Sequence, residues 1–170
     1  MNRDGFFFAV LCLCTVLSAE GSSLLPPGTQ APDFVLESDA GEAVSLQDFK
    51  GTQYVVLVFY PGNNTPVCTR QLCELRDSYD VLQSNDMAVL GINNDTRQAH
   101  RSFREEQNYQ FPLLIDEENA VATAYGAVGR FGGTKRSVYV IDTEGEVIFS
   151  ERGRPSVSDI VSSVREAQLR

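Results

Sequence analysis

Apolar residues along this chain fall into short blocks broken by polar turns, and two periods alternate. Tyr54 to Tyr60, YVVLVFY, is an unbroken β-branched and aromatic run. It predicts a central strand buried on both faces. Met87 to Asn93 and Pro112 to Asp116 predict two more strands. Ser137 to Asp142 and Glu146 to Ser150 flank Thr143-Glu144-Gly145, a tight hairpin turn. Between the first two buried strands, Leu72, Leu75, Tyr79 and Leu82 continue a helical spacing from Cys68. Thr65 and Pro66 open that helix as N-cap and first residue. Thr96 to Gln107 predicts a second helix. Ser156 and Asp159 form a capping box for a last one, with Val157, Ile160, Val161 and Val164 on one face. Residues 33–51 read as a β-hairpin turning at Asp39-Ala40-Gly41, then a short helical turn ending at Gly51. Strands alternating with helices imply parallel pairing, and the late hairpin adds antiparallel strands. The fold class is therefore α/β, with one mixed central sheet flanked by helices.

The N-terminus follows another pattern. Phe6 to Ala19 is continuously apolar, after a short polar start holding Arg3, and small residues follow. This is the layout of a secretory signal peptide over residues 1–21, cleaved near Ala19 or Gly21; an uncleaved membrane anchor is the competing reading. Residues 22–32 are small, Pro-rich and polar, and read as a linker. The domain is expected over 33–170. After cleavage no stable membrane association is expected, and export to a periplasm, an organelle lumen or the outside would follow.

Composition narrows the functions. The 170 residues are 42% hydrophobic, enough for one domain with a full core. A net charge of −9 leaves no basic footprint for nucleic acid. Cys12 and Cys14 would leave with the signal peptide, so the mature chain keeps Cys68 and Cys73. One close pair in a well-cored domain reads as chemical rather than structural. No ligand cluster accompanies the pair, so no metal is expected, and His100 reads as a solvated residue of a charged helix.

The pair sits in FYPGNNTPVCTRQLCELRD, Phe59 to Asp77. Cys68 falls at the third helical position, in the positive field of a helix start and beside free backbone N–H groups, which favours the thiolate. A small buried hydrophobe is the bland alternative. Two residues five apart on an intact helix have Cα atoms about 8–9 Å apart. A disulfide needs less than about 7 Å. Either the two thiols never bond or the first turns of the helix unwind.

These residues resemble the peroxiredoxin family. Pro61, Thr65 and Cys68 match its P-x-x-x-T-x-x-C motif, and the longer run is similar to the peroxiredoxin Q, or bacterioferritin comigratory protein, branch. KRSVYVID resembles the segment carrying the family's arginine, which falls on Arg136. GTQAPDFVLESDAGEAVSLQDFKG and FPLLIDEENAVATAYGA also look like the family. Val67 departs from the glycine usual in this branch.

The resemblance implies a thioredoxin-like fold and thiol-dependent reduction of hydrogen peroxide and organic hydroperoxides. Cys68 would be the peroxidatic thiolate and Cys73 the resolving thiol, joined as an intramolecular disulfide. Arg136 would lower the thiolate pKa and hold the peroxide oxygens. Thr65 and the backbone N–H groups of Val67 and Cys68 would stabilise shifting charge, and Pro61 would shield the thiolate. A thioredoxin-like or other dithiol reductant would restore the enzyme, with no cofactor, and the branch tends to be monomeric. A non-enzymatic redox sensor or partner-binding protein on the same scaffold is the alternative. Export sits awkwardly with a need for reductant. The sequons at Asn63 and Asn94 read as chance matches, because a glycan at Asn63 would crowd the site.

Overall fold

The structure is a computed structural model that describes residues 23–63 and 65–169, with Cys68 described by its backbone alone. The stretch expected as a signal peptide lies outside the described residues.

Among the described residues seven strands form one sheet: β1 (Val35–Ser38), β2 (Ala43–Ser45), β3 (Tyr54–Phe59), β4 (Met87–Asn93), β5 (Leu113–Ile115), β6 (Ser137–Ile141) and β7 (Val147–Arg152). Their order is β2-β1-β5-β4-β3-β6-β7. β3, β4 and β5 run parallel, while β1 and β6 join the outer sides of that trio antiparallel. The helices are α1 (Pro66–Asp77), α2 (Tyr79–Gln83), α3 (Arg97–Gln107), α4 (Ala120–Ala124) and α5 (Val157–Ala167), with a 3₁₀ turn at Leu46–Phe49. The mixed sheet and the hairpins at Gly41 and Gly145 match the sequence pattern; both glycines take positive φ, as those turns require.

Strand alternation sorts the core into two layers. Val56, Val58 and Tyr60 face a cluster with Leu72, Leu75, Leu82, Phe103, Ile160 and Val164, from α1, α2, α3 and α5. Val55, Leu57 and Phe59 face the other cluster, with Phe34, Leu46, Val121 and Tyr125. A buried strand that is apolar at every position therefore supplies both layers, and it ends at the loop that leads into α1. Gly91 on β4 is needed beside that end, because a Cβ there would lie 2.6 Å from a Leu113 methyl and 3.4 Å from the Tyr60 ring.

Two expectations need correcting. The helix expected to run unbroken to Leu82 breaks at Ser78, whose backbone leaves helical geometry (φ −108°, ψ 15°). The apolar stripe survives the break, because Leu82 on α2 is buried in the same cluster as Leu72 and Leu75 on α1. The stretch read as a linker is docked over residues 24–31. Leu24 and Leu25 pack on the second cluster, Ala31 is buried, and Gln30 bridges to Glu146 beside β7. Small and Pro-rich composition looks like a linker, but Gly28 and Ala31 find backbone partners at Val147 and Gly145, so the strand edge captures the segment.

Candidate active site

The site forms where β3 gives way to α1. Tyr60 keeps one more ladder bond, to the Ile92 carbonyl, and the chain then turns out through Pro61 and Gly62. Thr65 takes the extended N-cap conformation and Pro66 is the first helical residue. This places the Cys68 backbone in the first turn of a 12-residue helix, where N–H groups lack helical acceptors. The Thr65 hydroxyl does not cap the helix, contrary to the pattern of the sequence. Its counterparts Thr96 and Ser156 do cap theirs. Thr65 is exposed, as are Pro61 and Val67.

Arg136 reaches the same place by sheet register. β6 runs antiparallel to β3 with Ser137 opposite Phe59, so the residue before β6 lies beside the exit of β3. Arg136 Nη1 donates to Gln71 Oε1 at 2.5 Å. Gln71 is buried and sits three residues after Cys68, one turn along the same helix. Its amide nitrogen donates to the Gly153 carbonyl at 3.4 Å, and the Gly153 N–H donates back to the Arg136 carbonyl at 3.1 Å. The arginine, α1 and the end of β7 are thus tied through one buried amide. A hydrogen bond to a charged group contributes roughly 1.5–3 kcal/mol. Sequence reading missed Gln71, although a polar residue one turn from Cys68 and next to Leu72 was the signal. Gln71→Leu is expected to slow the reaction of the protein with peroxide roughly tenfold by removing this tie on the guanidinium. Rapid-mixing kinetics of the variant would check this.

Cys73 lies elsewhere on α1. It is half-buried against the first core cluster, with Sγ 3.6 Å from Gln107 Oε1 and 3.8 Å from the Tyr109 hydroxyl. Arg76 donates to the Gln107 carbonyl at 2.7 Å and closes this patch. α1 is continuous from Cys68 to Cys73, so the spacing argument against a disulfide on the intact helix applies to the folded chain.

The single histidine corrects the sequence reading. His100 is fully buried rather than solvated. It shares the inward face of α3 with Phe103, at i and i+3, while charged neighbours on the other faces mask it in the sequence. Burial lowers its pKa, with Asp95 opposing that shift. Asn63 of the first sequon has its amide nitrogen 3.4 Å from His100 Nδ1, whereas Asn94 of the second is exposed. Among the described residues no group of side chains has metal-ligand character, and no helix is long and apolar enough to cross a membrane.

Residues 27–150 match the AhpC/TSA family, nearly three quarters of the chain. The chain belongs to the AhpC/TSA family. Its relatives are peroxiredoxins of the Bcp and Q type. It is 40% identical over 128 residues to peroxiredoxin Bcp of Bacillus subtilis, covering 71% of this chain and 81% of that one. It is 39% identical over 132 residues to a chloroplastic peroxiredoxin Q of Oryza sativa, covering 75% of this chain and 60% of that one. Among solved structures, the peroxidoxin BcpB of Mycobacterium tuberculosis superposes with a TM-score of 0.77 at 28% identity, over 82% of this chain and 96% of that one. The thioredoxin-like fold of this peroxiredoxin is thereby established beside its sequence kinship.

Proposed function

We propose that this peroxiredoxin reduces hydrogen peroxide and organic hydroperoxides through Cys68. The observation that carries the reading is the convergence at one end of the central strands β3 and β6 of the first turn of α1, holding Cys68, with Arg136 tied to the next turn by Gln71. The thiolate sulfur attacks one peroxide oxygen, the O–O bond breaks, and the leaving oxygen takes a proton and departs as water or an alcohol. Sulfur is oxidised to a sulfenic acid while the peroxide gains two electrons. Arg136 and the backbone N–H groups of Val67 and Cys68 stabilise charge on the oxygens. The exposed valine at 67 leaves its backbone N–H in place. The Thr65 hydroxyl, unused as a cap, serves the same oxygens, and Pro61 limits access of water.

Cys73 then attacks the sulfenic sulfur, water leaves, and a Cys68–Cys73 disulfide forms once the first turns of α1 have unwound. A thioredoxin-type dithiol returns both sulfurs to thiols and is itself oxidised. No cofactor enters this cycle. A monomer suffices, since both thiols lie on one helix. The N-terminal pattern supports export with removal of residues 1–21. Intact-mass measurement of the mature protein is expected to give a chain starting between residues 20 and 22; a full-length mass would refute cleavage.

Stopped-flow mixing with hydrogen peroxide tests the reading. Cys68 is expected to react at least about 10³-fold faster than free cysteine. A rate equal to that of free cysteine would leave a redox sensor or partner-binding protein as the better description.

A further inference from the structure

Beneath the loop that leads into α1 lies a buried polar cluster that the peroxidase chemistry does not use. It joins Tyr60 at the end of β3, Asn63 in the loop, Asn93 at the end of β4, Asp95 just beyond it, and His100 on α3. Tyr60, Asn93 and His100 are fully buried.

The hydrogen bonds fix one another's direction. The backbone N–H of Asp95 can only donate, and it donates to Asn93 Oδ1 at 2.7 Å. Asn93 Nδ2 is therefore the end that points away, and it donates to Asn63 Oδ1 and to Asp95 Oδ2, each at 3.4 Å. The Tyr60 hydroxyl donates to the same oxygen at 3.0 Å. The Asn63 amide is thereby oriented with Nδ2 toward His100 Nδ1, 3.4 Å away. A donor facing that nitrogen requires its lone pair, so His100 is neutral with its proton on Nε2. Nε2 is buried and has no hydrogen-bond partner among the described residues; the Leu114 and Thr96 carbonyls lie near enough to the ring to favour its charged form, against the larger effect of burial. The Asn63 backbone N–H closes the loop onto Asp95 Oδ2 at 2.8 Å.

We propose that Asn63 and His100 are positioning residues for the peroxide reaction: this chain of bonds holds the loop at Asn63 against α3, and so steadies the approach to α1, while His100 is neutral. The inference rests on the peroxidase reading for its kinetic readout and on geometry alone for its structural one. Protonating Nδ1 sets a donor against the Asn63 amide nitrogen. Turning that amide to recover the bond would put its nitrogen against the Asn93 donor. Asn93 Nδ2 would then keep only Asp95 Oδ2, 3.4 Å away. A charged ring therefore costs the cluster at least one of the bonds that meet at Asn63, and acid weakens the hold on the loop.

The charged and titratable groups facing the ring are Asp95 beyond β4, Asp39 in the β1–β2 turn and Tyr60 at the end of β3. Asp39 is held by Arg104 of α3 and by the Leu113 N–H. Both carboxylates favour the charged ring, but burial outweighs them and the pKa is lowered. The sign follows. The unfolded chain takes up the proton first, near the ordinary value of about 6.5, so stability begins to fall below that pH. The latch itself is lost as pH falls through the lowered folded value.

The protein has one histidine, so its imidazole signals in a nuclear magnetic resonance titration are unambiguous. The expected result is a neutral Nε2–H ring at pH 7.5 that titrates below 6.5. The rate of the first peroxide step should show an acid limb at the same midpoint, beyond the titration of the thiol. H100Q, whose amide oxygen accepts from Asn63 but never protonates, should keep the parent rate within about threefold at pH 7.5 and lack that limb. N63A should be slower by about tenfold at pH 7.5, the order expected from losing a buried bond. Superimposable pH profiles for H100Q and the parent, or a ring with an Nδ1 proton at pH 7.5, would overturn the proposal. If the parent protein does not react with peroxide, the peroxidase reading fails while this one is still decided by amide hydrogen exchange. Protection of the Asn63 and Thr69 amides, which donate to Asp95 and to the Thr65 carbonyl, should drop as His100 protonates, and unchanged protection would refute the latch.

Discussion

Cys68→Ser is expected to end peroxide consumption, with a fall of roughly 10³-fold or more, the scale seen when a catalytic nucleophile is removed. The exchange of sulfur for oxygen changes little in volume, and Pro66 and the extended Thr65 still start α1. The loss is chemical. A helix start stabilises an anion by roughly 0.3–1 kcal/mol, which helps a thiol to ionise near neutral pH but cannot ionise an alcohol. Arg136 would remain tied to Gln71 in the variant and would face a group with no negative charge. Peroxide decay followed beside thermal unfolding separates lost chemistry from lost fold. Turnover near the parent level, with the fold intact, would show that another group is the nucleophile.

Cys73→Ser has the second largest effect and a different signature. The first oxidation should proceed at nearly the parent rate, because Cys73 points toward Gln107 and Tyr109 on the α3 side rather than toward Arg136. Turnover with a thioredoxin-type reductant should then fall by roughly 100-fold, since a thiol held on the same chain acts at a far higher effective concentration than one from solution. After one equivalent of peroxide, mass spectrometry should find the parent lighter by two hydrogens and the variant heavier by one oxygen. The proposed disulfide also carries a structural cost. Cys73 must leave its half-buried place, and the turns of α1 between the two cysteines must open. Hydrogen exchange of the oxidised protein should therefore show protection lost from Pro66 onward, while β3 and β4 stay protected. Full protection of α1 in an oxidised protein that has lost two hydrogens would mean that the sulfurs bond between molecules.

The two effects depend on different parts of one helix. On the proposed mechanism the first turn serves the peroxide while it is folded, and the second thiol is reached only when that turn is lost. The Asn63–His100 cluster bears on that balance, because it holds the loop from which unwinding would start. A peroxidase of this design would tolerate neither a fully rigid loop nor a loose one.

Much of this was determined by the sequence alone. The β3 run, the Pro61, Thr65 and Cys68 spacing, the hairpin turns and the Ser156 capping box are local patterns, and neighbouring residues suffice to read them. Arg136 was legible only through likeness to a family, since nothing in its own surroundings marks it. Tertiary structure decided the rest. Register between β3 and β6 brings Arg136 to the site, and Gln71 gains a role only when three distant segments meet around it. His100 looked solvated because charge density along a helix does not say which face turns inward; packing of α3 on β5 settled that. The docking of residues 24–31 was hidden for the same reason, as a free strand edge is a property of the sheet and not of the segment it captures.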